Sequence, residues 1–274
     1  MATRKQGSRR GGRRRHQEET EESWVPAPAF LSRSIPPFDI LSEEGAQRIE
    51  DEAENLLELG IEFRDHPETL EVFRKAGAKV EGVLVKFERG MCREIIQKSA
   101  PRTFRQVARN PERDVEIGGD AMVFSPLYGA PFVRDLSGER RYATIEDFNT
   151  FIKLAHQAPV MHHTGGTICE PTDIPVSKRH LDMVYGHIRH SDKPFMGAVT
   201  SGRQAQDTME MTRMVFGPER LDAECCVLGM INPTSPLLYD KEALESLHVY
   251  AAHNQGSVVT PFVIAGASGP VTPA

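Results

Sequence analysis

The stretch CCVLGMINPTSPLLYD, residues 225–240, decides how the rest of the chain is read. Its first seven residues form an apolar run of strand length, the pattern of a parallel strand covered on both faces. Asn232-Pro233-Thr234-Ser235-Pro236 then stops the run. Two prolines fix the backbone there, and three short polar side chains present donors and acceptors. Asp240 follows as the N-cap of a helix expected over 241–254. A strand, a stiff polar loop and a helix make one βα unit.

The same unit recurs. Apolar runs begin near Met122, Val160, Phe195, Cys226 and Val258, at intervals of 38, 35, 31 and 32 residues. Helical stretches fall between them at 144–156, 178–190 and 203–216, and Thr144 with Asp147 has the spacing of a capping box. This period is that of repeated βαβ units. No Gly-x-Gly-x-x-Gly follows the first strand, which favours a barrel over a dinucleotide-binding sheet. The expected fold is therefore α/β, a partial (β/α)8 TIM-type barrel with about five strands over residues 120–274. The sequence stops on Thr272-Pro273-Ala274, an N-cap and N1 pair opening another helix. The expectation is a barrel truncated at its C-terminus.

Residues 25–119 predict a mixed α/β N-terminal cap. Ser42 caps a helix with Ile49, Ala53, Leu56 and Leu57 on one face and Gly60 closing it. A second helix runs from Pro67 to Gly77, 81–90 is a short strand, and 91–100 a third helix. Residues 1–24 predict a disordered tail, basic and then acidic. Its first sixteen residues hold seven Arg or Lys and no acid, while the remaining 26 basic residues face 39 acidic ones. A solvated tail is the simpler reading; the alternative is a non-catalytic module that binds nucleic acid through it. No apolar run approaches the roughly 20 residues of a membrane span, and no secretory signal is present. Cys92, Cys169, Cys225 and Cys226 fit neither a zinc ribbon nor a disulfide framework, so reduced thiols in a cytoplasmic protein are expected.

In a barrel the chemistry sits where the strands end. Those ends read SPLYGAP, HHTGG, TSG, NPTSP and TPFVIAGASG, rich in small polar residues and poor in charge. Tyr128, with Phe124 and Phe132 nearby, offers an aromatic wall suited to a quaternary ammonium. His162 and His163 are the most catalytic-looking pair, but adjacent strand residues point to opposite faces, so only one enters the mouth. Either could serve a metal-dependent barrel hydrolase or lyase, or simply pack in the core. Glu170 and Asp173 follow in the same loop. Walker A, Gly-x-Ser-x-Gly and His-Glu-x-x-His motifs are absent.

The segments SPLYGAPFVRD, HHTGGTICEPTDIP, DKPFMGAVTSGRQAQDTMEM, INPTSPLLYD and VVTPFVIAGASGPVTPA, in this order, resemble the trimethylamine methyltransferase family from about Pro36 onward. The resemblance implies a (β/α) barrel that moves a methyl group from a methylated amine, such as a betaine or trimethylamine, to cobalt. That cobalt belongs to a corrinoid presented by a partner protein, so no cofactor is bound directly. No metal ligands are expected, and a homo-oligomer is. Members are longer than this chain, and the pyrrolysine of trimethylamine-specific members falls beyond its last residue. Tyr128, His163, Asn232, Thr234 and Ser235 are the substrate-binding candidates, and the catalytic residues are left unassigned. Deleting residues 1–16 is expected to change methyl transfer by less than about twofold, roughly 0.4 kcal/mol. A tenfold loss would give the tail a role in docking or folding.

Overall fold

The computed structural model describes residues 27–233, 237–260, 264–267 and 271. The first 119 residues hold β1 (Leu31–Ser32), α1 (Glu43–Leu59), β2 (Ile61–Phe63), α2 (Pro67–Ala76), β3 (Lys79–Glu81), β4 (Leu84–Lys86), α3 (Met91–Ser99), β5 (Thr103–Gln106) and β6 (Val115–Gly118). There follow β7 (Ala121–Met122), β8 (Phe132–Arg134), β9 (Arg140–Tyr142), α4 (Ile145–Gln157), α5 (Val176–His190), α6 (Gly202–Phe216) and α7 (Pro218–Ala223). The last elements are β10 (Leu228–Ile231), β11 (Leu238–Tyr239), α8 (Lys241–Ala252) and β12 (Gly256–Val259).

Local chemistry sets the helix ends. Ser42 Oγ accepts from Gly45 N, and Asp240 Oδ1 from Ala243 N at 2.9 Å. The Thr144–Asp147 capping box is complete, and Arg141 grips the same Asp147 carboxylate through both terminal nitrogens. Gly60 closes α1 at φ +111°, where an added Cβ would come within 2.9 Å of Leu84. The inward face of α1 differs from expectation. Ile49 and Leu56 are exposed, whereas Glu54 is buried, because its carboxylate accepts from Gly90 N (2.8 Å) at the start of α3.

The second half shows the repeat, with a correction. Of the five expected strands, only β10 and β12 form a regular parallel pair among the described residues, Leu228 opposite Gly256 through Ile231 opposite Val259. The other three expected strands are extended segments with sparser hydrogen bonds. His162 N donates to Phe124 O, and Ala130 bridges Cys169 in parallel. Thr164 N donates to Pro194 O and Met196 N to Gly165 O; Met196 then bridges Leu228 in parallel. Segments 124–130, 162–169, 194–197, 228–231 and 256–259 thus lie side by side in chain order, all running the same way. Among the described residues they do not close into a barrel. The chain is a mixed α/β structure with several small sheets.

Hydrogen bonds cross residue 119 in both directions. β11, which follows the Asn-Pro-Thr-Ser-Pro loop, joins the upstream sheet β11-β2-β4-β3 by pairing Leu238 with Glu62 and Tyr239 with Phe63. In return Gln106 bridges Cys225 just before β10, so the β5–β6 hairpin sits where the parallel segments begin. One core cluster lies between the parallel segments and α5, α6 and α8, around Val184, Phe195, Met209, Val227 and Tyr250. Among the described residues no helix is long and apolar enough to cross a membrane.

Candidate functional site

The turn that ends the second parallel segment, 164–167, is built by two histidines. His163 points to one side. Its Nδ1 accepts from Gly165 N at 2.7 Å, so the proton sits on Nε2 and is donated to Gln106 Oε1 at 3.2 Å. Gln106 Nε2 in turn donates to Phe195 O at 2.9 Å. His187 of α5 approaches from the other side, donating from Nε2 to Gly166 O (2.9 Å) and accepting from Thr164 Oγ1 on Nδ1 (2.9 Å). Burial, with His187 adding repulsion, lowers the His163 pKa to about 3. Burial lowers His187 to about 4, against the opposing pull of the Gly166 carbonyl. Both rings are neutral.

His163 is therefore not a substrate contact, contrary to the expectation from sequence. It is 1 % exposed, and both ring nitrogens are committed to protein groups. His162 faces the opposite way, as strand alternation requires, and its Nδ1 accepts from Phe124 N at 3.0 Å. Burial, then the nearby Lys193, lowers its pKa. Lys193 itself donates to the carbonyls of Ala155, Ala158 and Met161, closing the C-terminal end of α4.

Tyr128 rests on the turn. A Cβ added at Gly166 would lie 2.8 Å from its ring and 3.0 Å from Met196 Cβ, so only glycine fits there. Thr167 Oγ1 reaches Tyr128 Oη at 3.4 Å, and Gly129 N donates to Thr167 O at 2.6 Å. Beside them a cavity of about 100 Å³ opens, lined among others by Tyr128, Thr167, Arg179, His180, Met196 and Gln204. Arg179 pairs with Glu170 (2.5 Å), and His180 Nε2 lies 2.9 Å from the Asp207 carboxylate. Arg179, His180 and Asp207 were not legible beforehand, because they converge from α5 and α6 with no fixed sequence spacing. Asp173 has a structural task, accepting from Ile145 N at the start of α4.

Asn232 is exposed at the end of β10, where its Oδ1 accepts from Thr260 Oγ1 at the end of β12. Thr234 and Ser235 lie outside the described residues. Of the neighbouring aromatics, Phe132 belongs elsewhere: Arg140 stands 3.5 Å above its centroid and the Tyr142 ring packs against it, tilted, at 4.6 Å. Phe124 lies beside His162. Tyr128 is thus the ring at the cavity.

The trimethylamine methyltransferase (MTTB) family profile matches residues 6–274. The chain belongs to this family. The match begins upstream of Pro36 and takes in part of the basic stretch. Glycine betaine methyltransferase of Desulfitobacterium hafniense (strain Y51) is 43% identical over 244 residues, 88% of this chain and 50% of that protein. Proline betaine:corrinoid methyltransferase of Eubacterium limosum is 26% identical over 207 residues, 70% of this chain and 41% of that protein. The chain spans about half the length of the curated relatives it matches.

Proposed function

We propose that the five parallel segments belong to a (β/α)8-type barrel whose strand ends bind a methylated amine of the betaine class. The methyl group passes to the cobalt of a corrinoid carried by a separate protein. The supporting observation is the 43% identity to a glycine betaine methyltransferase across nearly the whole chain. Direction and order of the parallel segments agree with it.

The chemistry suits the site. The C–N bond breaks with its electron pair left on nitrogen, and the carbon bonds to cobalt, which supplies the new pair. No proton needs to move, so rate depends on holding the carbon in line. A cavity whose Arg179 is paired with Glu170 and which has one aromatic face fits that demand. The Tyr128 face meets the ammonium, while Asn232, with Thr234 and Ser235 close to it in sequence, holds the carboxylate. The thiols take no part: burial raises Cys169 and Cys226 to about 12 and Cys225 to about 11. All four cysteines are free, which suits the cytoplasm. Of the two histidines that the metal-hydrolase alternative could use, His163 has both ring nitrogens committed to protein groups, which weighs against it as a ligand.

The test is methylation of Co(I) corrinoid by a panel of methylated amines, using full-length protein. Tyr128→Ala is expected to weaken substrate binding by about 0.5–2 kcal/mol, whereas Tyr128→Phe keeps most of the affinity because the ring face remains. Asn232→Ala removes a directional hydrogen bond and is expected to lower turnover even at saturation. Unchanged rate and affinity in both alanine variants, for every active amine, would remove these residues from the site.

A further inference from the structure

We infer that His163 and His187 are positioning residues for this reaction: they fix the 164–167 turn beneath the Tyr128 ring and so set substrate affinity without touching substrate. The inference rests on the reading of Tyr128 as the ammonium-facing ring.

Three observations carry it. First, the turn is gripped on both sides. His163 takes the Gly165 N–H, and His187 takes the Thr164 hydroxyl and supplies the Gly166 carbonyl. Gly165 stands at φ +76°, one of several conformations open to glycine, so contacts from outside the turn select it. Second, the turn sets the height of the ring. The Cβ position at Gly166 lies within 2.8 Å of Tyr128, so any rise of the turn pushes the ring directly. The chain beside Tyr128 is tied to the same turn through Gly129 N and Thr167 O. Third, the two sides are linked to the frame. Gln106 connects His163 to the Phe195 carbonyl on the next segment, and α5 carries His187.

Imidazole suits this task better than an apolar ring or an ion. A neutral imidazole offers one donor and one acceptor in fixed geometry, and both buried histidines use both. A phenyl ring of similar shape would remove the imidazole from both groups, leaving the Thr164 hydroxyl only Pro194 O (3.1 Å) and the Gly166 carbonyl only Ile168 N (3.0 Å). A glutamine side chain can still offer one N–H and one C=O.

The experiment labels the protein with 3-fluorotyrosine and follows residue 128 by fluorine NMR. The five tyrosines give few signals, and Tyr128→Phe assigns the one needed. His187→Phe is expected to shift and broaden the Tyr128 resonance. It should also raise KM for the quaternary amine at least tenfold, with kcat within threefold of the parent. His187→Gln is expected to leave the resonance in place and KM within threefold. Should His187→Phe fail to fold, Thr164→Val decides, since it keeps the shape of the side chain and deletes the hydroxyl that reaches His187 Nδ1 and Pro194 O; a shifted Tyr128 signal and about a threefold rise in KM are expected. An unmoved resonance with unchanged KM in the folded variant overturns the inference. So does a glutamine variant as impaired as the phenylalanine one. If no protein in the series transfers methyl groups, the proposed reaction fails while the fluorine spectrum still decides the positioning role.

Discussion

Between pH 6.5 and pH 4 the protein is expected to lose stability steeply, by about 4 kcal/mol at pH 5 from His163 and His187 alone. Their folded pKa values are about 3 and about 4. In the unfolded chain both rings titrate near the ordinary value of about 6.5. Over that window the unfolded state binds protons that the folded state refuses, so falling pH favours unfolding. Each ring contributes about 1.4 kcal/mol per pH unit below 6.5, or roughly 2 kcal/mol by pH 5. The stabilisation is fully present above pH 6.5 and spent once pH reaches the folded values. Burial also lowers the pKa of His156, His162, His190 and His248, and their contributions have the same sign. Urea unfolding at pH 7.5, 6 and 5 measures the slope. His187→Gln removes one of the two rings and should reduce their shared slope by about half. Equal stability at pH 7.5 and pH 5 would mean that these rings are not held neutral.

This acid sensitivity comes from an arrangement that sequence could show only halfway. That His162 and His163 point apart follows from strand alternation and needs no coordinates. Both are buried, and what His163 is buried against depends on Gln106, more than fifty residues upstream in the β5–β6 hairpin. His187 carries no sequence signal at all; it is one of three histidines within the last eleven residues of α5. The helices were legible because their periodicity and caps are local. Expected ranges of 144–156, 203–216 and 241–254 differ from α4, α6 and α8 by only one or two residues at either end. Strand positions were legible from the apolar runs, but their irregular pairing was not, since hydrogen bonding between segments is set by the neighbours.

The loop after β10 makes the same point. Its prolines and small polar residues read as a strand end with chemistry. Nothing in LLYD announces that Leu238 and Tyr239 become a strand in the sheet of β2, β4 and β3. A two-residue parallel pairing has no period to detect. It is visible only as packing, with Tyr239 stacked on Phe63 at 5.3 Å. The described residues on either side of that segment therefore belong to β10 and to the upstream sheet.

Tyr250→Ala is expected to destabilise the protein by about 3–5 kcal/mol, the range for deleting a fully buried aromatic ring. Such a loss is a large part of the 5–15 kcal/mol that holds a typical domain folded. Tyr250 is wholly buried in a core cluster, between Phe195, Val227 and Met209. Two features place the cost toward the upper end. The backbone against the ring is glycine: a Cβ at Gly229 would lie 2.9 Å from it, and one at Gly197 2.5 Å from its hydroxyl. Glycines have no side chain to swing into the vacated space, so the cavity cannot collapse cheaply. The hydroxyl also donates to Ala198 O at 3.1 Å. Nearby, Thr208 Oγ1 accepts from Ala198 N and Ser246 Oγ donates to Val199 O, so side chains of α6 and α8 satisfy the backbone of the loop lining the cavity. Tyr250→Phe separates the two effects. It keeps the packing and removes only the bond to Ala198, and is expected to cost about 1–3 kcal/mol. Denaturant unfolding of the three proteins at pH 7.5 gives the comparison. A Tyr250→Ala cost below about 1.5 kcal/mol would show that α8 can move in to fill the gap, and that Gly197 and Gly229 do not hold the ring's place open.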